Sequence, residues 1–162
     1  MIGVISDTHE NEEAIKIAVG IFKENNVDFV VHCGDIISPP MLEHFRGLKA
    51  KFIYGNNDGE KTGLNNKAIQ LGFEELSDKK EFEYKDKKFY AYHGTKKEEL
   101  EAAIKSNKYG YVLTGHTHIK RDERIGETRV INPGALFRIF PYTIALLDVE
   151  EDKLEFIEVK MR

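Results

Sequence analysis

The apolar positions of this chain form short unbroken runs in some places and helical stripes in others. Ile2 to Ser6 is one such run and predicts a buried strand, because continuous apolar stretches of this length suit a strand covered on both faces. From Asn11 to Asn25 the period changes. Ala14, Ile17, Ala18, Ile21 and Phe22 share one helical face, and Glu12 and Glu13 suit the positive N-terminal end of that helix. Val27 to Cys33 is a second apolar strand rich in β-branched residues. Ser38 followed by Pro39 predicts an N-cap and first helical position, opening a short helix to about Arg46. Lys51 to Tyr54 predicts a third strand.

The middle of the chain is less regular. Phe82 to Tyr84 and Phe89 to His93 flank Lys85-Asp86-Lys87-Lys88 and predict a hairpin. Lys96 to Ser106 is amphipathic and helical, and Tyr111 to Thr114 is another strand. The last third is β-rich, with turns at Gly126-Glu127 and Glu150-Glu151-Asp152. Strands alternate with helices early and dominate late. This predicts an α/β sandwich: a mixed sheet or two packed sheets, with helices outside.

Composition narrows the class. A length of 162 residues suits one domain and one core without a disulfide or metal staple. The lone cysteine, Cys33, rules out a disulfide framework and fits a reduced, cytoplasmic setting. The N-terminal apolar run is too short for a signal peptide, and no run reaches transmembrane length, so no membrane partner is expected. A net charge of −4 argues against a general nucleic-acid binder while leaving room for a local basic rim.

Five polar clusters each follow a strand-like run: Asp7-Thr8-His9, Gly34-Asp35, Gly55-Asn56-Asn57-Asp58, His93-Gly94 and Gly115-His116-Thr117-His118. Ligands of α/β sheets bind beyond the carboxyl ends of strands, so five such ends would deliver Asp, His and Asn to a common rim. In extended backbone residues i and i+2 point the same way, which would let Asp7 and His9, or His116 and His118, reach one site together. The donors are carboxylate, imidazole and amide, without thiolate. That set favours manganese, iron, zinc, nickel or cobalt over a structural cysteine-type zinc site. Each cluster alone is ordinary turn chemistry. Their joint presence in this order is not.

In that order, Asp-x-His, Gly-Asp, Gly-Asn-x-Asp, His-Gly and Gly-His-x-His resemble the calcineurin-like metallophosphoesterase superfamily. The compact length and Asn132-Pro133-Gly134 are similar to its small archaeal and bacterial phosphodiesterase branch. The resemblance runs from Ile2 to about Val149. It implies the family's four-layer fold, a β-sandwich of mixed sheets flanked by helices. It also implies two divalent cations, manganese first. Asp7, His9 and His118 would hold one, Asn56, His93 and His116 the other, and Asp35 would bridge them. A hydroxide between the metals would then attack a small phosphodiester. Asp35, Asn57 and His116 are the residues it places closest to the chemistry. Many members carry histidine where this chain has Asn57, and an amide cannot titrate.

The resemblance leaves alternatives open. The retromer subunit of this fold is a non-catalytic scaffold, and a phosphomonoesterase or nuclease would use the same site. Retention of all seven ligands favours the enzyme. A homodimer is expected only weakly, since no interface stripe is visible. Outside the clusters, His32 reads as a satisfied core histidine, His44 as solvated and Cys33 as packing. Asp58 reads as a loop-shaping residue. Lys96, Lys97 and Arg138 are minor candidates for touching phosphate.

Overall fold

The computed structural model describes residues 1–161. Its strands form two five-stranded mixed sheets. The first has β1 (Ile2–Ile5), β2 (Phe29–His32), β3 (Ala50–Phe52), β9 (Thr143–Asp148) and β10 (Lys153–Glu158), in the order β10-β9-β1-β2-β3. The second has β4 (Lys79–Tyr84), β5 (Lys87–Tyr92), β6 (Tyr111–Leu113), β7 (Arg121–Ile125) and β8 (Thr128–Asn132), in the order β4-β5-β6-β8-β7. Within them β1, β2 and β3 run parallel, as do β5, β6 and β8. Antiparallel strands β4, β7 and β10 close three of the edges.

The period of two in each strand sorts side chains between two cores. Ile2, Val4 and Val31 of the first sheet face Phe89, Ala91, Tyr111, Leu113 and Ile131 of the second. The intervening residues face outward against helices. Helix α1 (Glu12–Glu24) lays Ala14, Ile15, Ala18, Val19 and Phe22 on the outer face of the first sheet, beside Ile5 and Val30. A Cβ on Gly3 would lie 2.5 Å from the Phe22 ring, so the helix seats where β1 has no side chain. Helix α3 (Lys97–Lys105) packs Leu100 and Ile104 on the far face of the second sheet, over Tyr90, Val112 and Val130. The result is helix, sheet, sheet, helix. Truncating a fully buried Phe22 to alanine would cost roughly 3–5 kcal/mol.

Three local expectations need correction. The Ser38-Pro39 helix is a 3₁₀ segment, Pro39–Phe45, and the Ser38 side chain makes no capping bond. Helix α2 (Lys61–Gln70) falls where no helix is predicted; it buries only Leu64 and Ala68 and shows no apolar stripe to read. The hairpin turn is shorter than its lysine run suggests. Tyr84 pairs with Lys87, leaving Lys85 and Asp86 at φ 50° and 64°. Both central residues lie in the left-handed region, as in the two-residue turns that match strand twist. Among the described residues, no helix is long and apolar enough to cross a membrane.

Candidate metal centre

The C-terminal ends of β1, β2, β3, β5 and β6 all open on one edge of the sandwich, and all five polar clusters stand there. Asp7 and His9 follow β1, Asp35 follows β2, Asn56 follows β3, His93 follows β5, and His116 and His118 follow β6. The backbone that presents five of them is not extended. Asp7, His9, Asp35, His116 and His118 have φ of 52°, 48°, 63°, 70° and 65°. Left-handed backbone at non-glycine residues costs energy and clusters at functional sites. Tight turns, rather than a shared strand face, therefore aim these side chains. Two glycines make room: a Cβ on Gly55 would lie 2.1 Å from Asp35 Oδ1, and one on Gly115 would lie 2.6 Å from Asp7 Oδ2.

The side chains converge. His118 Nε2 lies 3.3 Å from Asp7 Oδ1, and His93 Nε2 lies 3.7 Å from the same oxygen. Asp35 Oδ2 stands 3.5 Å from His93 Nε2 and 3.6 Å from His9 Nε2, between two imidazoles. His116 Nδ1 is 3.1 Å from Asn56 Oδ1. Asp7, Asp35 and His93 are at most 1% exposed.

Three buried atoms at this point lack any hydrogen-bond partner: Asp7 Oδ1, His9 Nε2 and His93 Nε2. An unpaired buried polar atom is costly, and native structures rarely keep one without a reason. Here three converge. Two triads have ligand atoms within 4.8 Å of one another: Asp7 with His9 and His118, and Asp7 with Asp35 and His93. The donor set and the orphaned atoms fit divalent cations.

Charge follows the geometry. Burial favours neutral His93, but the adjacent Asp35 and Asp7 outweigh it and raise its pKa. The Asp7 carboxylate beside His118 raises the pKa of that ring. Burial lowers His9, with Asp35 and Asp7 opposing. Burial would raise Asp35, yet His93 and the two donors of Asn57 hold it well below the usual carboxylate range. This negative field is what a cation would enter.

His9, Asp35, Asn56, His116 and His118 line an open pocket of about 550 Å³, together with Glu10, Ile37, Asn57, Phe137 and Arg138. The calcineurin-like phosphoesterase superfamily domain matches residues 1–152, from β1 through β9 and over every cluster.

The chain belongs to the calcineurin-like phosphoesterase superfamily.

As a member, it is a hydrolase. It is 39% identical to phosphodiesterase MJ0936 of Methanocaldococcus jannaschii over 98% of this chain and 97% of that one. A solved archaeal phosphodiesterase superposes with a TM-score of 0.90 at 37% identity, covering 97% of this chain and 98% of the other. Vps29 of Entamoeba histolytica, solved with zinc, reaches a TM-score of 0.72 at 17% identity over 98% of this chain and 99% of its own, which shows the fold alone. These likenesses agree with the small archaeal branch resembled in the sequence.

Residues outside the seven make the loops rigid. Asp58, 1% exposed, accepts from the backbone N–H groups of Asp35, Ile36, Ile37 and Gly55 at 2.7–2.8 Å. His32 is fully buried. Gly34 N–H donates to its Nδ1 at 3.1 Å, so the ring proton sits on Nε2 and meets Thr8 Oγ1 at 3.0 Å. It is satisfied, as expected, and burial holds its pKa near 3. It also ties the Asp7 loop to the Asp35 loop. Asn132 Nδ2 donates to Gly115 O and Thr117 Oγ1, bracing the His116–His118 turn.

His44 departs from expectation. It is half-buried, with Nε2 3.1 Å from Glu12 Oε1 of α1. Cys33 is buried among core residues, and burial pushes its thiol pKa up. Lys96 lines a neighbouring hollow and not the main pocket. Ser6 and Phe137 went unpredicted. Ser6 Oγ donates to Asp7 Oδ2 at 2.6 Å, and Phe137 stacks on His9 with ring centroids 3.9 Å apart. A serine before a carboxylate and a phenylalanine far along the chain carry no motif signal.

Proposed function

We propose that this chain, as one domain over residues 1–162, is a two-metal phosphodiesterase acting on small phosphodiesters. The observation that carries the reading is the convergence of three orphaned buried atoms, Asp7 Oδ1, His9 Nε2 and His93 Nε2, around Asp35 and beside an open pocket that His9 and Asp35 line. The phosphodiesterase names of MJ0936 and the solved archaeal relative support the choice of ester. Asp7, His9 and His118 would hold one cation, Asn56, His93 and His116 the second, with Asp35 between them. Manganese is the first choice, with nickel, iron, zinc and cobalt compatible with the same donors.

Two divalent cations in such a site supply a water nucleophile at neutral pH and offset charge on the phosphoryl oxygens. The chain's own part is to hold and orient. His32 and Asp58 lock the loops, so the donors are in place before a ligand arrives. Asn57 donates to Asp35 from both its backbone and its side chain, keeping that carboxylate ionised and fixed. His116 faces Asn56 at the pocket wall, with Nδ1 3.1 Å from Oδ1. We place the protein in the cytoplasm and treat pairing of two copies as a question for light scattering, where a clean monomer mass ends the idea.

The deciding experiment combines metal analysis with a substrate panel. After manganese loading, two metal equivalents per chain and turnover of bis(p-nitrophenyl) phosphate above the matching monoester are expected. A single saturable site, or hydrolysis confined to monoesters, overturns the reading.

A further inference from the structure

Arg46 and Arg138 are the arginines without an ion pair among the described residues, and of the two only Arg138 lines the candidate pocket. Arg121, Arg124 and Arg129 each pair with a carboxylate. Arg138 makes no ion pair among the described residues, although Glu10 and Asp35 line the same pocket. It is the only lysine or arginine lining that pocket among the described residues.

Its position is built. The guanidinium carbon lies 4.9 Å from the Phe137 ring centroid, and Phe137 lies flat on His9, 18° from parallel. The Phe137 ring thus contacts both the His9 imidazole and the Arg138 guanidinium, and all three residues line the pocket. The segment below is tethered twice: Leu136 N–H donates to Asp7 O at 3.2 Å, and Asn11 Nδ2 donates to Leu136 O at 2.8 Å. Arg138 itself has a φ of 65°, a conformation that glycine would hold at less cost. The chain keeps a strained arginine where the backbone alone would favour glycine.

The side-chain amide of Asn57, which also lines the pocket, donates to Asp35 Oδ2 at 2.9 Å. A guanidinium presents a planar fork that fits two phosphoryl oxygens at once.

Resting on the phosphoesterase reading of this pocket, we infer that Arg138 is its substrate-anchoring residue, binding the non-bridging oxygens of phosphate esters through the guanidinium fork while Phe137 holds it in place.

The test uses inorganic phosphate as the probe. Its affinity for the manganese-loaded chain is measured by calorimetry for the wild type, Arg138→Gly, Arg138→Met and Arg138→Lys, with metal content checked by elemental analysis. Arg138→Gly suits the backbone and removes the charge, whereas Arg138→Met keeps length and stacking without charge. Both should weaken phosphate about tenfold or more at unchanged metal content, and Arg138→Lys should recover part of the loss. Failure of the wild type to bind phosphate overturns the inference. So does either neutral variant, metal-loaded, binding within twofold of wild type. If one neutral variant fails to fold, the other decides. Should the wild type bind phosphate through Arg138 yet turn over no diester, the diesterase reading falls and the anchor stands.

Discussion

Asn57 donates to Asp35 twice, from its backbone N–H to Oδ1 and from its side-chain Nδ2 to Oδ2, each at 2.9 Å. Asp35 in turn stands between His9 and His93. A carboxylate so placed balances charge on both sides, and a neutral amide cannot replace it. Asp35→Asn should therefore lower turnover by orders of magnitude and release at least one metal equivalent. Asn57→Ala keeps the backbone bond and should cost much less in metal content. Kinetics alongside elemental analysis of the two variants checks the order. Near-normal activity of Asp35→Asn with full metal would remove Asp35 from its central place.

The Asp58 carboxylate gathers four backbone N–H groups from two loops. In Asp58→Asn an NH₂ group must face some of those donors, and buried donors lose an ionised acceptor. A loss of roughly 2–4 kcal/mol is expected, since bonds to buried charged groups are worth about 1.5–3 kcal/mol each. Thermal melting measures it. Metal affinity should fall as well, because the Asp35 turn hangs from Asp58. His32→Gln is the comparison: it disturbs the buried Thr8–His32–Gly34 link and should cost stability, while the chain that folds keeps most of its chemistry.

The sequence carried the fold where side chains repeat and lost it where tertiary contacts decide. β1, β2, β6 and α1 announce themselves through apolar runs and stripes. Helix α2 does not, because Gly63, Asn65 and Asn66 are weak helix formers and only Leu64 and Ala68 reach the core. The seven candidate ligands are legible as motifs, and the structure brings them to one edge of the sandwich. Their geometry was not legible: the left-handed turns at Asp7, His9, His116 and His118 replace the extended spacing that the i, i+2 pattern suggests. Phe137 and the His44–Glu12 contact arise from segments distant in sequence, which no local pattern encodes.

Far from the site, Asp152 joins Tyr111, Arg124 and Arg129. Burial would raise its pKa, but hydrogen bonds from these three partners hold it near 2, below an ordinary 3.8. A carboxyl depressed in the folded state contributes stability above the unfolded value. That contribution is lost as pH falls from 3.8 through about 2. Asp152→Asn should remove the acid-dependent part of unfolding in that window, with a modest effect because the group is 36% exposed and screened by salt. Urea melts at descending pH measure it. An unchanged slope in the variant would assign the acid loss to other carboxylates.

The leaving group is where Asn57 should be felt in catalysis. An alkoxide departs poorly unless it receives a proton, and an amide has none to give. Asn57 is also engaged by Asp35, so the departing oxygen must carry more negative charge in the transition state. Activity should therefore favour aryl diesters and fall steeply as leaving-group pKa rises. Asn57→His keeps the backbone bond to Asp35 and exchanges the amide for a titrating ring. It should accelerate alkyl diesters more than aryl ones, on the scale of general-acid catalysis, about 10²-fold at best for the poorest leaving groups. It should also add a decline at high pH, as the imidazolium that donates the proton is lost. Rates for a graded series of diesters, taken with both proteins across pH, separate the cases. A uniform change for every leaving group would place no acid at this position, and the proton would have to come from elsewhere in the pocket.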